Sequence, residues 1–161
     1  MKPYWNIEEI KKLDFEFPNN PTRGFNFIDP QDEHRYNSVT AGLYHGLPTC
    51  LISEELETKF NWLTNKSYAV TKMLPGNVLP THYDKYSFYN KTHNVKIEHI
   101  CRVILFLDDW KLGHFLQIKD KDVPNWKAGD WAYWIGSTPH IAGNIGLLDR
   151  YVLQITGTYY G

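Results

Sequence analysis

Arg150-Tyr151-Val152-Leu153-Gln154-Ile155-Thr156-Gly157 is the stretch from which the fold is read. Side chains in a strand alternate between faces. One face therefore carries Arg150, Val152, Gln154 and Thr156, and the other Tyr151, Leu153 and Ile155. An apolar face backed by a polar face with an arginine suits a sheet covered by helices outside and lining a wet cavity inside. A candidate cover is the helix expected over residues 53–64. Ser53 is its N-cap, Glu54 and Glu55 sit at its positive end, and Leu56, Phe60 and Leu63 form an i, i+4, i+7 stripe.

Working back from this strand, short apolar runs recur between turns. Strands are expected at Ser67–Leu74, Val78–Asp84, Ile100–Leu107, His114–Ile118, Asp130–Ile135 and His140–Gly143. Pro75-Gly76 ends the first of them. Such a series indicates a mainly β sandwich or barrel. Residues 1–66 read as an irregular and helical N-terminal part, with Pro, Asn and Gly clusters at Pro18–Asn20, Pro21–Gly24 and Gly46–Pro48 and a short helix near Ile7–Leu13 capped by Asn6. Residues 67–161 read as the β core. No linker or repeat divides the chain, so its 161 residues are expected to form one domain.

The chemistry concentrates in Leu79-Pro80-Thr81-His82-Tyr83-Asp84. In a strand, His82 and Asp84 share a face ~6–7 Å apart, within reach of one metal. His140, in Ser137-Thr138-Pro139-His140, is the natural third ligand. Two imidazoles and a carboxylate leave open positions on a cation, the facial arrangement used by non-haem Fe(II) oxygenases. Arg150 follows His140 by ten residues. With Asn144-Ile145-Gly146 read as a hairpin turn, Ala142 faces Arg150, and His140 faces Val152. Arg150 then points to the same side as His140, where its planar fork can grip the far carboxylate of a diacid chelating the metal.

With these residues in place the chain resembles the 2-oxoglutarate/Fe(II) dioxygenase superfamily. The order His-x-Asp, strands, the Trp126-Lys127-Ala128-Gly129-Asp130 turn, distal histidine and arginine runs from Leu79 to Gly157. Cys101-Arg102-Val103-Ile104-Leu105, Gly113-His114-Phe115-Leu116-Gln117-Ile118 and Thr138-Pro139-His140 resemble the aspartyl/asparaginyl β-hydroxylase-like branch. The chain departs from that branch in retaining Asp84, in carrying Ile104 where a histidine is expected, and in the segment 85–98. The resemblance implies a double-stranded β-helix (jelly roll, cupin-like) and a hydroxylase that uses Fe(II), 2-oxoglutarate and O₂. It points to an amino-acid side chain, free or in a peptide or protein, as substrate, with a small metabolite as the other reading.

Other residues are weighed in the same frame. Arg102 stands in an apolar strand, where a charge needs a partner. It is a candidate for holding the cosubstrate, a substrate carboxylate or an internal acid. His114 and Gln117 are candidate substrate or cosubstrate contacts, on opposite faces of their strand. Tyr83 and Tyr86 open an aromatic run, Tyr83–Asn90, that leaves the metal ligands as a candidate loop lid. His93 and His99 are expected in solvent, with Glu98 completing a rival metal site. His34 and His45 offer no geometry.

Composition bounds the partners. A net charge of −1 argues against a nucleic-acid surface. No run approaches the ~20 apolar residues of a membrane span, and Met1 to Ile10, polar and mixed in charge, lacks the apolar core expected of a signal peptide. A cytoplasmic enzyme is expected, with Cys101 a buried thiol. Two other classes share the barrel: a cupin-like metal isomerase or epimerase, independent of 2-oxoglutarate, and a non-catalytic jelly-roll binding module.

Overall fold

A computed structural model of the chain describes residues 5–16 and 42–161. The clusters Pro18–Asn20 and Pro21–Gly24, and His34, lie outside the described residues. Nine strands are found among the described residues: β1 Leu43–Gly46, β2 Thr64–Met73, β3 Val78–His82, β4 Ile100–Phe106, β5 His114–Ile118, β6 Lys121–Asp122, β7 Trp131–Ile135, β8 His140–Asn144 and β9 Arg150–Thr158. They form two antiparallel sheets, one ordered β1-β2-β9-β4-β7 and the other β3-β8-β5-β6.

The parity read in β9 decides the layering. Tyr151, Leu153 and Ile155 face outward into a core shared with Cys101, Val103 and Leu105 of β4. That core is closed by α1 (Ile7–Lys11) and α2 (Glu54–Lys59). Leu56, Phe60 and Leu63 are all buried there, although the helix stops at Lys59 and Phe60 is its C-cap. Both expected N-caps are made: Ser53 Oγ accepts from the Leu56 amide, and Asn6 Oδ1 from those of Glu8 and Glu9. These bonds satisfy amides that a first helical turn leaves without partners.

The opposite face of β9 looks inward. Met73, Ile104, Phe106 and Val152 of the larger sheet pack on Leu79, Leu116 and Ala142 of the smaller one, with Trp126 and Trp134. This second core fills part of the space between the sheets, and a cavity occupies the rest. Two sheets rolled face to face, with strands contributed alternately along the chain, make a double-stranded β-helix.

Three expectations are corrected. Asn144-Ile145-Gly146 is not a hairpin turn, because β8 belongs to the smaller sheet and β9 to the larger. The segment crosses between sheets. It is pinned by the buried Asn144 side chain, whose amide donates to the carbonyls of Met73 and Leu148. His140 and Arg150 therefore face one another across the interior rather than along one sheet. Second, β3 ends at His82, so Asp84 stands on the coil just past the strand. Third, the aromatic run is not a loop lid. It leads into helix α3, Ser87–His93, which Tyr86, Tyr89 and Val95 anchor on Ile100.

Candidate metal centre

His82 and His140 are register partners on β3 and β8. A bulge between Leu79 and His82 brings Pro80 into the strand, where its missing N–H is tolerated. The imidazole centroids are 4.1 Å apart, and Trp134 packs on His140 at 4.2 Å. Each ring is set by the same local device. His82 Nδ1 meets the Pro80 carbonyl at 2.7 Å, and His140 Nδ1 meets that of Thr138 at 2.9 Å. A carbonyl only accepts, so Nδ1 carries the proton in both rings, and Nε2 presents its lone pair.

Both Nε2 atoms lie 3.9 Å from Asp84 Oδ1. The three donor atoms all fall within 4.8 Å of one another, and all three residues are largely shielded from solvent. Two metal–ligand bonds of ~2.1 Å span ~4.2 Å, so a single cation fits between each imidazole and the carboxylate. The donor set is the one a 2-His-1-carboxylate site requires. Burial, reinforced by the neighbouring His140, pushes the His82 imidazole down to about 4. Burial also lowers His140. Both rings are neutral and able to ligate near pH 7. Burial alone would raise the Asp84 carboxyl, but Arg102 and the two imidazoles hold it below the usual carboxylate range.

Arg102 is committed to that carboxylate. Its Nε donates to Asp84 Oδ2 at 3.2 Å, and Nη1 donates to Gln154 Oε1 at 2.8 Å. The guanidinium also lies over the Tyr86 ring, 5.3 Å from its centroid. Of the roles weighed for Arg102, the internal acid is the one the geometry displays. Its two bonds turn Oδ1 toward the imidazoles and make Arg102 a positioning residue for the ligand.

Arg150 is held differently. It is 3% exposed and has no carboxylate partner among the described residues. Nη1 approaches the Met73 thioether, a weak acceptor, at 3.1 Å, and the guanidinium lies 5.5 Å from the centroid of Trp126. Trp126 is itself stacked on Phe106. Nε has no hydrogen-bond partner, nor does Thr71 Oγ1 nearby. Burial pushes the guanidinium down to about 10, which leaves it charged at neutral pH.

Arg150 and the metal-binding trio line the same cavity, of about 230 Å³, with Tyr44, Thr71, Met73, Trp134 and Gln154 among its other walls. Tyr44 and Thr71 are paired on neighbouring strands, and Thr71 is paired in turn with Val152. Burial pushes the Tyr44 phenol up to about 12, so it stays neutral. Sequence reasoning missed Tyr44, Thr71 and Trp134. The four-residue β1 gives no periodic signal, and Thr71 and Trp134 are ordinary strand residues until the sheets face each other.

The remaining candidates lie elsewhere. His114 is buried but donates from Nε2 to the Leu148 carbonyl at 2.9 Å and stacks behind Trp126, so it holds the crossover to β9 rather than facing the cavity. Gln117 points outward and bonds Asp122. Tyr83 is exposed, and Tyr86 touches Arg102 from behind the cavity wall. His93 packs on Tyr89 and His99 on Tyr160. Among the described residues the His82-Asp84-His140 cluster is the one group whose donors converge, so the rival site is not formed.

No protein-family model matches the chain, and no curated protein matches it. Solved structures do. A prolyl-4-hydroxylase from Pseudomonas putida superposes with a TM-score of 0.56 at 16% identity, over 78% of this chain and 76% of that one. A predicted oxalate decarboxylase from Thermotoga maritima gives 0.44 at 19% identity, over 73% and 80%. KdgF from Halomonas sp. gives 0.46 at 13%, over 83% and 93%. At these identities the likeness is one of fold. The chain is a double-stranded β-helix that shares its fold with that prolyl-4-hydroxylase, and it carries a His-Asp-His cluster fit for a metal in its interior.

Proposed function

We propose that the chain is an Fe(II)- and 2-oxoglutarate-dependent oxygenase that hydroxylates a C–H bond, with His82, Asp84 and His140 as ligands and Arg150 as anchor of the keto acid. The observation that carries this reading is Arg150. A guanidinium buried without a carboxylate is costly. It opens into the same cavity as three converging metal donors. A chelating keto diacid supplies the missing anion at one end while binding the metal at the other. Thr71 Oγ1 stands on the same wall as a further donor to that far carboxylate, beside the Tyr44 phenol, which bonds Gln154.

When bound, Fe(II) with the keto acid supplies the oxidising power, consuming O₂ and releasing succinate and CO₂ as one oxygen atom enters the substrate. The chain's own residues orient and exclude. The two Nδ1–H···O=C bonds fix the imidazoles, and Arg102 fixes Asp84. Trp126 and Met73 hold the Arg150 guanidinium toward the interior. The apolar walls, Leu79, Ile104, Leu116 and Val152, keep bulk water from the reacting centre. An amino-acid side chain or a small metabolite is the substrate class we favour, and the cytoplasm the setting. Among the described residues no helix is long and apolar enough to cross a membrane.

Anaerobic titration with Fe(II) and 2-oxoglutarate tests the reading. A weak visible charge-transfer band should grow in with saturating stoichiometry. Arg150→Ala should weaken keto-acid binding by roughly 30-fold or more, the loss expected when one partner of a buried charge pair is removed. A metal isomerase on the same barrel would bind the metal and show no such band.

A further inference from the structure

A strand at the rim of a sheet presents a row of unpaired backbone N–H and C=O groups, and proteins commonly block such edges. Among the described residues the two sheets have four rims, and three are blocked. β1 is bridged on its free side by Glu16, whose amide and carbonyl bond those of Tyr44. β3 carries Pro80 and a bulge. β6 is two residues long, and both of them, Lys121 and Asp122, are charged. β7, at the far rim of the larger sheet, has no such device. Its run Trp131-Ala132-Tyr133-Trp134-Ile135 holds no charge and no proline, and its register on β4 is unbroken.

The register says which groups of β7 are left over. Antiparallel strands exchange hydrogen bonds at every second residue. Leu107 N–H donates to the Tyr151 carbonyl and Tyr159 N–H to that of His99, so the odd residues of β4 are turned to β9. Its even residues are turned to β7: Phe106 N–H donates to Asp130, and Gly136 N–H donates to Ile100. Ala132 and Trp134 thus use their backbone groups on β4. Trp131, Tyr133 and Ile135 point theirs away from the sheet, where no backbone group among the described residues meets them. The Ile135 carbonyl accepts from the Thr138 hydroxyl and keeps a second lone pair.

The side chains agree. Trp131 is 39% exposed and Tyr133 50%. With Trp62 they make a continuous aromatic surface beside this edge, the ring centroids 5.7, 5.9 and 6.0 Å apart.

We propose that β7 pairs with β7 of a second copy of this chain, antiparallel about a two-fold axis at Tyr133. In that register Tyr133 meets its own counterpart, and Trp131 meets the second copy's Ile135. The backbone groups left over on each copy then answer those on the other. On the outer face aromatic and aliphatic side chains meet across the strands, and on the inner face the small Ala132 lies opposite the second copy's Trp134. No like charges are brought together. The pairing is self-complementary and closes at two copies. Two such strands with their aromatic faces bury roughly 1,000 Å² in total, the lower bound of a specific interface, so the dimer forms and dissociates in the micromolar range. The proposal is independent of the metal chemistry, although Trp134 of the same strand packs on His140.

Sedimentation velocity of the full chain between about 1 and about 300 µM tests it. The mass should climb from 18.9 kDa to twice that value and stop. Amide-resolved hydrogen exchange over the same range reads the register. The amides of Trp131, Tyr133 and Ile135 should slow roughly tenfold as the dimer forms, while those of Ala132 and Trp134 stay protected throughout. Tyr133→Pro removes an edge N–H that β4 does not use and should abolish the dimer. Tyr133→Asp sets two like charges on the axis and should weaken it roughly tenfold, whereas Tyr133→Phe should hold it within about threefold. A chain that stays monomeric at every concentration would overturn the proposal and leave the edge to a strand of another protein. A mass that grows past the dimer, a dimer that both Tyr133→Pro and Tyr133→Asp leave intact, or odd and even amides of β7 that respond alike would also overturn it. Circular dichroism checks each variant's fold; if Tyr133→Pro does not fold, Tyr133→Asp and the exchange pattern of the unmodified chain decide.

Discussion

Asp84 illustrates how much of a metal site lies in residues that never touch the metal. Oδ1 faces the imidazoles because Arg102 holds Oδ2 and Gln154 holds Arg102. Partners of this kind commonly contribute 10–100-fold to metal affinity. Arg102→Leu should therefore weaken Fe(II) or Mn(II) binding by roughly that factor, with partial recovery in Arg102→Lys, measured by competition with a chromophoric chelator. His82 gives a second measurement at the same scale. The native ring resists a proton until about pH 4, whereas its ordinary value is 6.5. The unfolded chain thus binds more protons between those values, and stability rises with pH across the window. Chelator-treated protein should lose stability as the pH falls from 6.5 to 4, by up to roughly 3 kcal/mol from this group. Denaturant unfolding at intervals of pH checks the slope, and His82→Gln should flatten it.

At the scale of elements, the crossing of two turns at one end of the barrel is the tightest contact. Gly113 has φ +91°, and a Cβ there would lie 2.3 Å from the Gly146 nitrogen. A Cβ on Gly146 would lie 2.1 Å from the Leu112 carbonyl oxygen. Backbone cannot yield to either, so Gly113→Ala or Gly146→Ala should cost roughly 3 kcal/mol or more. Gly46, on β1, has open space around it, and Gly46→Ala should be near neutral; urea unfolding midpoints separate the cases. This crossing also marks where sequence reading stopped. The parity of β9 was legible because Tyr151, Leu153 and Ile155 alternate cleanly with Arg150, Val152 and Gln154, and the His-x-Asp spacing drew His82 and Asp84 together, with His140 joined to them through Arg150, the Gly129-Asp130 turn and the family resemblance. The path from β8 to β9 was not. Asn144-Ile145-Gly146 has the composition of a hairpin turn, and only the pairing of β8 and β9 with different sheets, pinned by the long-range bond from Asn144 to Met73, shows that the chain changes sheets. Tyr44 and Thr71 were hidden for the same reason: no local pattern marks a residue that matters for what it faces across an interior. Helix α3 was equally silent, entered through Tyr86 at φ 50° and held by Tyr89 on Thr158.

At the scale of the whole molecule, the interior is divided between adhesion and binding. The outer core, from Trp5 to Ile155, joins helices to the larger sheet and contains no charge. The inner space is only partly filled by the second core, and the rest carries two guanidiniums, a carboxylate and two imidazoles. A protein built this way is less stable empty than its outer core would allow, and ligands that bind only the folded state recover the difference. At 100 times its dissociation constant a ligand adds about 2.7 kcal/mol, which for a chain of this length raises Tm by roughly 5–10 °C. Adding Mn(II) and then 2-oxoglutarate to metal-free protein should thus raise Tm in two steps. Arg150→Met separates them. It replaces a buried, unpaired charge with an apolar side chain, so the ligand-free variant should melt at or above the wild-type temperature. The metal step should survive and the keto-acid step vanish. Should Arg150→Met instead destabilise the empty protein and keep both steps, the guanidinium would be a structural member of the barrel, and the diacid would have to be held by some other group.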